Sequence, residues 1–462
     1  MATKTLEGMM SGGMYDHVGG GFARYSVDEE WHVPHFEKML YDNALLAHAY
    51  VEAFQVTRDP AFRRVATETL DYVLREMQGE HGGYFSATDA DSEGVEGKFF
   101  VWSLREIEEL LEEGDARRVA AFYDVTEDGN WEGHNVLRTP RPIEEVMKEV
   151  DWGGTALGLR ENLDASRAKL YEARRRRVPP LLDDKVLVAW NGLMIRAMAF
   201  AGRVLGEPRW IESAERAAAM IERELTRPDG GLFRTFRAGK AHLAAYLEDY
   251  AFHADALVDL YEATGHAAHL TRAESLVKRI VADFSGADGG ALHLTANDHE
   301  ELVARTADGA DGAIPNGNAV AARALVRVGA HLGKGEYEAR AIAALRAHGG
   351  TMRRAPRAFA TSLVVVDALL EPPIEIAIVG EGEVASALER VVAESFLPSF
   401  VLARARAASS LPLLEGKPTD SPNAFVCRGF ACDAPVSTPE ALRRSIEEAR
   451  SDVRALRQSA LP

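Results

Sequence analysis

Apolar positions recur at helical spacing along most of the chain up to about residue 370, and they predict long amphipathic helices. The clearest are Asn43–Phe54, Pro60–Met77, Leu182–Leu205, Pro208–Leu225, Tyr246–Thr264, Ala267–Phe284, Gly317–Leu332 and Glu336–His348. Connectors such as Thr57-Arg58-Asp59-Pro60 and Leu205-Gly206-Glu207-Pro208 are too short for anything but antiparallel hairpins. Double glycines recur at Gly12-Gly13, Gly82-Gly83, Gly230-Gly231 and Gly289-Gly290, each followed by apolar residues that can fold back under a helix end. A polar loop then leads into the next helix, and Gly231 and Gly290 lie 59 residues apart, the length of one helix pair with its loop. Repeated pairs stack into an open solenoid or close into a ring. In a ring the long polar loops would gather at one end.

From Glu371 the pattern changes. Pro372-Pro373 break the helix, and Ile374–Gly380, Phe400–Ala403 and Asn423–Cys427 read as strands. Glu383–Phe396 and Pro439–Leu456 read as helices, so residues 371–462 are expected to form a small α/β lobe with a partly parallel sheet, after a helical body over 1–370. The Gly380-Glu381-Gly382 turn lacks a third glycine, and its acids repel anions, which argues against nucleotide binding there.

Composition narrows the partners. The 462 residues carry 53 Lys plus Arg against 71 Asp plus Glu, a net charge of -18 that repels nucleic-acid phosphates and anionic membranes. No apolar run approaches the ~20 residues needed to span a bilayer, and the start MATKTLEGMMSGG has no secretory pattern. A cytoplasmic location is expected, with no nucleic-acid and no membrane partner. Cys427 and Cys432 make no disulfide framework, and their C-x4-C spacing suits neither zinc nor redox pairs, so they are read as buried thiols. Arg174–Arg177 is read as a solvated helix end.

The densest chemistry lies in Gly12–Asp42, GGMYDHVGGGFARYSVDEEWHVPHFEKMLYD, which cannot be one continuous helix. Gly19, Gly20 and Gly21 open backbone conformations closed to other residues. Pro34 fits a first helical turn, so His35, Glu37, Tyr41 and Asp42 are expected to open the first full helix, with positions 37 and 41 on one face. A neutral His beside a carboxylate is a natural general base near pH 7. The competing reading is a His that only shapes the loop.

Asp89, Asp91 and Glu93 mimic the front half of a calcium loop, but its twelfth position is Phe100 rather than a bidentate Glu. A carboxylate pair for glycoside chemistry and a plain solvated loop are the other readings. Trp190-Asn191, Asp249-Tyr250 and Asn316-Gly317-Asn318 place polar and aromatic groups at the starts of later helices, where they suit sugar rings. Asn318 also reads as a helix cap. His32 and His35 have H-x-x-H spacing without a third ligand, so no metal is expected, and no cofactor.

The run from Gly12 to Ala47 resembles thioredoxin-domain-containing proteins, a family that includes spermatogenesis-associated and YyaL-like proteins. The resemblance continues through Ser86–Trp102, Asn130–Leu137, Asp183–Ile195, Leu247–Phe252, Ile314–Val320 and Asn423–Pro435, nearly the whole chain. It implies a mainly α fold, an (α/α)6 toroid of the six-hairpin glycosidase kind, similar to N-acylglucosamine 2-epimerases and cellobiose 2-epimerases. It also implies a thioredoxin-like domain and a first toroid helix ahead of Met1. Without that helix, apolar burial worth on the order of 10 kcal/mol is missing. The expectation is therefore instability alone, or a gap filled by a separate polypeptide, a neighbouring subunit or rearranged N-terminal residues.

The function expected is that of a sugar-active toroid, an epimerase or isomerase ahead of a glycosidase, with a small carbohydrate as ligand. His35, Glu37, Asp42, Asp89 and Asp91 are the candidate catalytic residues. Arg24, Tyr25, Tyr41, Trp190, Asn191, Asp249, Tyr250, Asn316 and Asn318 are the candidate substrate-binding residues. The alternative is a non-catalytic scaffold that binds a protein.

Overall fold

A computed structural model describes residues 1–286, 289–300, 302–371 and 373–460, with no side-chain description beyond Ser451. The fold is mainly α, built largely from helical hairpins, with a small C-terminal α/β lobe. The chain divides into two compact units. Unit 1 holds residues 1–80 and 84–185, and unit 2 holds 81–83 and 186–462.

Unit 1 contains α1 (Ala2–Ser11), α2 (Leu40–Thr57), α3 (Pro60–Tyr72), α4 (Leu104–Leu110), α5 (Glu113–Phe122), α6 (Ile143–Glu149) and α7 (Ala156–Arg174). The α2–α3 hairpin turns at Arg58, which takes a left-handed φ of 63°, and Asp59 caps α3 by accepting from Ala61 N at 2.8 Å. Pro60–Met77 runs as α-helix only to Tyr72 and continues as a π-helical turn over Val73–Met77. The α1 helix was not among the expected elements. It buries no residue fully, and Tyr50 of α2 donates to Leu6 O at 2.7 Å. Helices α4–α7 pack around Trp102, Ile107, Val119, Val146, Leu159 and Leu170.

Unit 2 contains three hairpins, α8–α9 (Val188–Leu205, Pro208–Glu224), α10–α11 (Leu247–Thr264, Ala267–Phe284) and α12–α13 (Gly317–Leu332, Gly335–Arg354), followed by α14 (Ala360–Leu370). The first helix of each ends on a glycine with positive φ, Gly206, Gly265 or Gly333, which lets the chain reverse within a few residues. Helix α10 packs against both α8 and α12 and is buried on nearly every face. Helices α9 and α11 bury one stripe each, Trp210, Ala214, Ala217 and Ile221 in one, Leu270, Ala273, Val277 and Ile280 in the other. Among the described residues no helix is long and apolar enough to cross a membrane.

The C-terminal sheet has strand order β12-β11-β13-β14, from Phe400–Ala405, Ile374–Val379, Asn423–Arg428 and Ala431–Cys432. The first two strands are parallel and the others antiparallel, as the strand-helix pattern predicts. Ile374, Ile376 and Ile378 face α15 (Glu383–Glu394) and α16 (Pro439–Ala460), while Ala377 and Val379 pack on the other face with Leu413 and Leu414. The expected break at Pro372-Pro373 lies partly outside the described residues, since Pro372 is one of those left out.

Four expectations are corrected. Leu182–Leu187 is not helical: it forms β7 (Leu182–Asp183) and β8 (Val186–Leu187), which pair with β4 (Ala87–Thr88) and β9 (Phe233–Arg237). Pro34 does not start a helix. Pro34–His35 is β2 and Lys38–Met39 is β3, and α2 begins only at Leu40. Over this run Pro34, Phe36 and Lys38 are buried while His35 and Glu37 are half-buried, the two-residue alternation of an extended chain. Cys427 and Cys432 are not free thiols but a disulfide, because the turn between β13 and β14 sets them directly opposite. Arg174–Arg177 is not uniformly solvated. Arg174 is buried and chelates Asp16 at 2.8 Å to each oxygen, and Arg177 stacks on Trp102 and donates to Phe99 O and Val101 O. A buried Asp16 needs that cation.

Candidate functional site

The double-glycine device has a defined structure. Isolated β-bridges join Gln78 to Tyr84, Thr226 to Leu232 and Ser285 to Leu292 across three of the double glycines, whereas the bridge from Tyr15 to Phe22 spans Gly19–Gly21 and leaves Gly12-Gly13 outside it. A polar side chain near the start of the following helix fastens three of these loops. Asn43 of α2 accepts from Phe22 N at 2.7 Å and donates to Phe22 O at 3.1 Å. Asn318 of α12 holds Leu292 N and O in the same way, at 2.7 and 2.8 Å. Tyr250 Oη of α10 accepts from Leu232 N at 2.8 Å.

In unit 1 the loop so fastened is Gly19–Gly21, and it is further fixed by a buried triad. Lys38 Nζ donates to Asp16 Oδ2 and to Gly20 O, both at 2.8 Å, while Arg174 takes the other side of Asp16. Burial works against the Asp16 charge, but Arg174 and Lys38 hold its carboxyl well below the usual range. Gly21 has φ +78°, and a Cβ there would lie 2.5 Å from the Tyr72 ring. The chain leaving this anchor carries Arg24 and Tyr25.

Around that anchor unit 1 gathers six of the candidate residues. Strand β1 (Tyr25–Ser26) pairs with β2 in the register Tyr25↔His35, which stacks the two rings at 5.2 Å and 27°. His35 Nδ1 lies 2.7 Å from Glu96 Oε1, and its Nε2 lies 3.7 Å from Glu37 Oε2. Arg24 donates to the same Glu37 oxygen at 3.0 Å. Asp42, in the first turn of α2, completes the group. Burial lifts its carboxyl to about 7, with Glu37 adding to the push and Arg24 opposing it. Its Oδ2 is buried without a hydrogen-bond partner. Burial, then Asp42, also raises the Tyr41 phenol.

The hairpin β5–β6 (Asp91–Ser92, Val95–Glu96) supplies Glu96 to this group, not Asp89 or Asp91. Asp91 stands opposite Glu96 in the ladder, and Asp89 accepts from Asp91 N at 3.2 Å; both are exposed. Glu96 was visible in the sequence as the last acid of the Asp89–Glu96 run, but nothing local assigns it to a His 61 residues away. A polar cleft of about 280 Å³ elsewhere on unit 1 is lined by Glu68, Asp71, Arg75, Asp164, Arg167 and Tyr171, none of them in the His35 group.

The remaining candidates lie in unit 2, where hydrogen bonds to the backbone engage most of them. Asp249 accepts from Ala189 N at 3.0 Å and Tyr246 N at 2.9 Å, and Arg234 reaches it at 3.2 Å. Burial lifts its carboxyl to about 7 against the pull of Arg234. Asn191 Nδ2 donates to Leu187 O at 3.0 Å. Asn316 caps α12 by accepting from Asn318 N at 2.8 Å. Trp190 is half-buried beside Asn191 in α8.

Comparison with known proteins gives distant company. No protein-family model matches the chain. Spermatogenesis-associated protein 20 of Homo sapiens is 34% identical over 491 residues, covering 96% of this chain and 62% of that protein. Its Rattus norvegicus counterpart is 33% identical over 495 residues, with 97% and 62% covered. The chain therefore spans under two thirds of the length of these relatives. Among solved structures, a sugar epimerase from a ruminal bacterium superposes with TM-score 0.48 at 11% identity, over 76% of this chain and 71% of that one. Cellobiose 2-epimerase from Bacillus thermoamylovorans gives 0.44 at 12%, over 72% and 66%.

Proposed function

We propose that the unit 1 group is an acid/base centre acting on a reducing sugar, with His35 as the base. The observation that carries this reading is the His35 ring held between Glu96 and Glu37 with Tyr25 on its face. A carboxylate on Nδ1 fixes the tautomer and leaves Nε2 to exchange a proton. In the open-chain sugar, Nε2 would take the proton from the carbon next to the carbonyl, and the electron pair would move into an enediolate. Arg24 is suited to stabilise the oxygen that becomes negative. Returning the proton to the same carbon on its other face gives the epimer, and returning it to the former carbonyl carbon gives the ketose. Asp42, half protonated near pH 7, is the second group able to hold that proton.

The exposed face of Tyr25 offers a platform for the C–H face of a pyranose, and Tyr41 and Glu37 offer hydroxyl partners. Glycoside hydrolysis is the weaker reading, since it needs two carboxylates set across a bond at about 5–5.5 or 6.5–9.5 Å, and Asp89 and Asp91 sit together on one exposed loop.

A thermal-shift screen with mono- and disaccharides tests binding. A reducing sugar is expected to raise Tm in the wild type and to lose that effect in Arg24→Ala and Tyr25→Ala. Stabilisation by no sugar, together with capture of a defined protein partner, would instead favour the scaffold alternative.

A further inference from the structure

In unit 2 the hairpin helices bring together three side chains that the proposed sugar chemistry does not use. Glu215 projects from α9. His266 immediately precedes α11, and His269 lies in its first turn. His266 Nδ1 is 3.1 Å from Glu215 Oε1, and His269 Nε2 is 3.6 Å from the same oxygen. The three donor atoms all lie within 4.8 Å of one another.

The 3.1 Å pair is a hydrogen bond, and the spacing of all three atoms also suits a shared ion. Zinc bonds of ~2.0–2.1 Å at tetrahedral angles put neighbouring ligand atoms about 3.3 Å apart. The 3.6 Å separation is too long for a hydrogen bond, and His269 Nε2 is buried without a hydrogen-bond partner. The donor set is two imidazole nitrogens and one carboxylate oxygen. Hard cations such as calcium and magnesium prefer all-oxygen shells, whereas zinc, cobalt and nickel accept imidazole. The start of a helix disfavours a cation, and the Glu215 carboxylate offsets that field. His266 is largely exposed, which leaves the outer side of the cluster open to water.

We propose that Glu215, His266 and His269 form a binding site for a divalent transition-metal ion of the zinc class, completed by water. The ion would brace α9 against the first turn of α11, two helices from successive hairpins. The H-x-x-H spacing dismissed at His32 and His35 thus recurs at His266 and His269, where a helix 51 residues upstream supplies the third donor.

The test is titration of the tag-free full chain with Zn²⁺ by calorimetry and with Co²⁺ by visible absorption. One tight site and the d–d bands of a low-symmetry nitrogen and oxygen environment are expected, with Tm raised by saturating Zn²⁺. Glu215→Gln and His266→Gln should each weaken binding at least about tenfold. His266 is exposed enough that its variant should fold, which the Tm without metal checks. Absence of Co²⁺ and Zn²⁺ binding in the wild type, or unchanged affinity in both variants, would overturn the proposal.

Discussion

Two charged groups of this protein use the same residue types in opposite ways. In unit 2, Asp255, Asp259 and Glu262 of α10 are buried against Arg196, Arg323, Arg327 and His331. Arg327 alone reaches all three acids, at 2.8, 2.6 and 3.1 Å. Burial opposes the Asp255 charge, and the arginines still hold that carboxyl far below the usual range. In unit 1, His35, Glu37 and Glu96 are partly exposed, and Asp42 keeps an unpartnered oxygen and a carboxyl lifted to about 7. A densely paired network around buried acids fixes helices in place. An unsaturated one at the surface has protons to exchange.

That contrast predicts where substitutions cost stability. Arg327→Ala should have the largest effect, because it takes the shared cation from three buried carboxylates; a loss of about 3–5 kcal/mol is expected, read by urea unfolding of the full chain. A loss below about 1 kcal/mol would mean the network is not the brace described. Asn318→Ala should come next, leaving Leu292 N and O unpaired at about 1–3 kcal/mol. Asn43→Ala in unit 1 should match it.

Asp42→Asn sharpens the other side. A carboxyl raised to about 7 from the ordinary ~3.9 stabilises the fold when protonated. That contribution is complete below about pH 4 and is lost as pH rises through 7. The neutral Asn should therefore stabilise the protein by on the order of 1–3 kcal/mol at pH 8 and change little at pH 4, measured as Tm against pH. An unchanged difference between the two pH values would remove Asp42 from the proton-exchanging group. Glu96→Gln should be the mildest, below about 1 kcal/mol because its pair with His35 is exposed.

The same contrast marks what the sequence could disclose. Helix periodicity located the hairpins, with Ala267–Phe284 and Gly317–Leu332 correct to the residue. Three of the four double glycines marked the repeated loops, Gly12-Gly13 lying outside its bridge, and the β-rich runs marked the C-terminal sheet. Two-residue strands such as β2 and β3 escaped because six residues of alternation, Val33–Lys38, also fit a helix entry. Long-range partners escaped for a different reason: nothing local ties Glu96 to His35 or Asp16 to Arg174. Tyr250 and Asn318 were legible as recurrent polar positions, but the pattern alone could not separate loop fasteners from ligand contacts.

The most direct measurement is solvent exchange at the carbon beside the sugar carbonyl, followed by NMR in D₂O with the full chain. Wild-type protein should incorporate deuterium into a reducing sugar, and His35→Asn should slow that exchange by about 10²–10⁴-fold with Tm unchanged. Equal exchange in both proteins, or exchange lost only because the variant unfolds, would contradict the role given to His35.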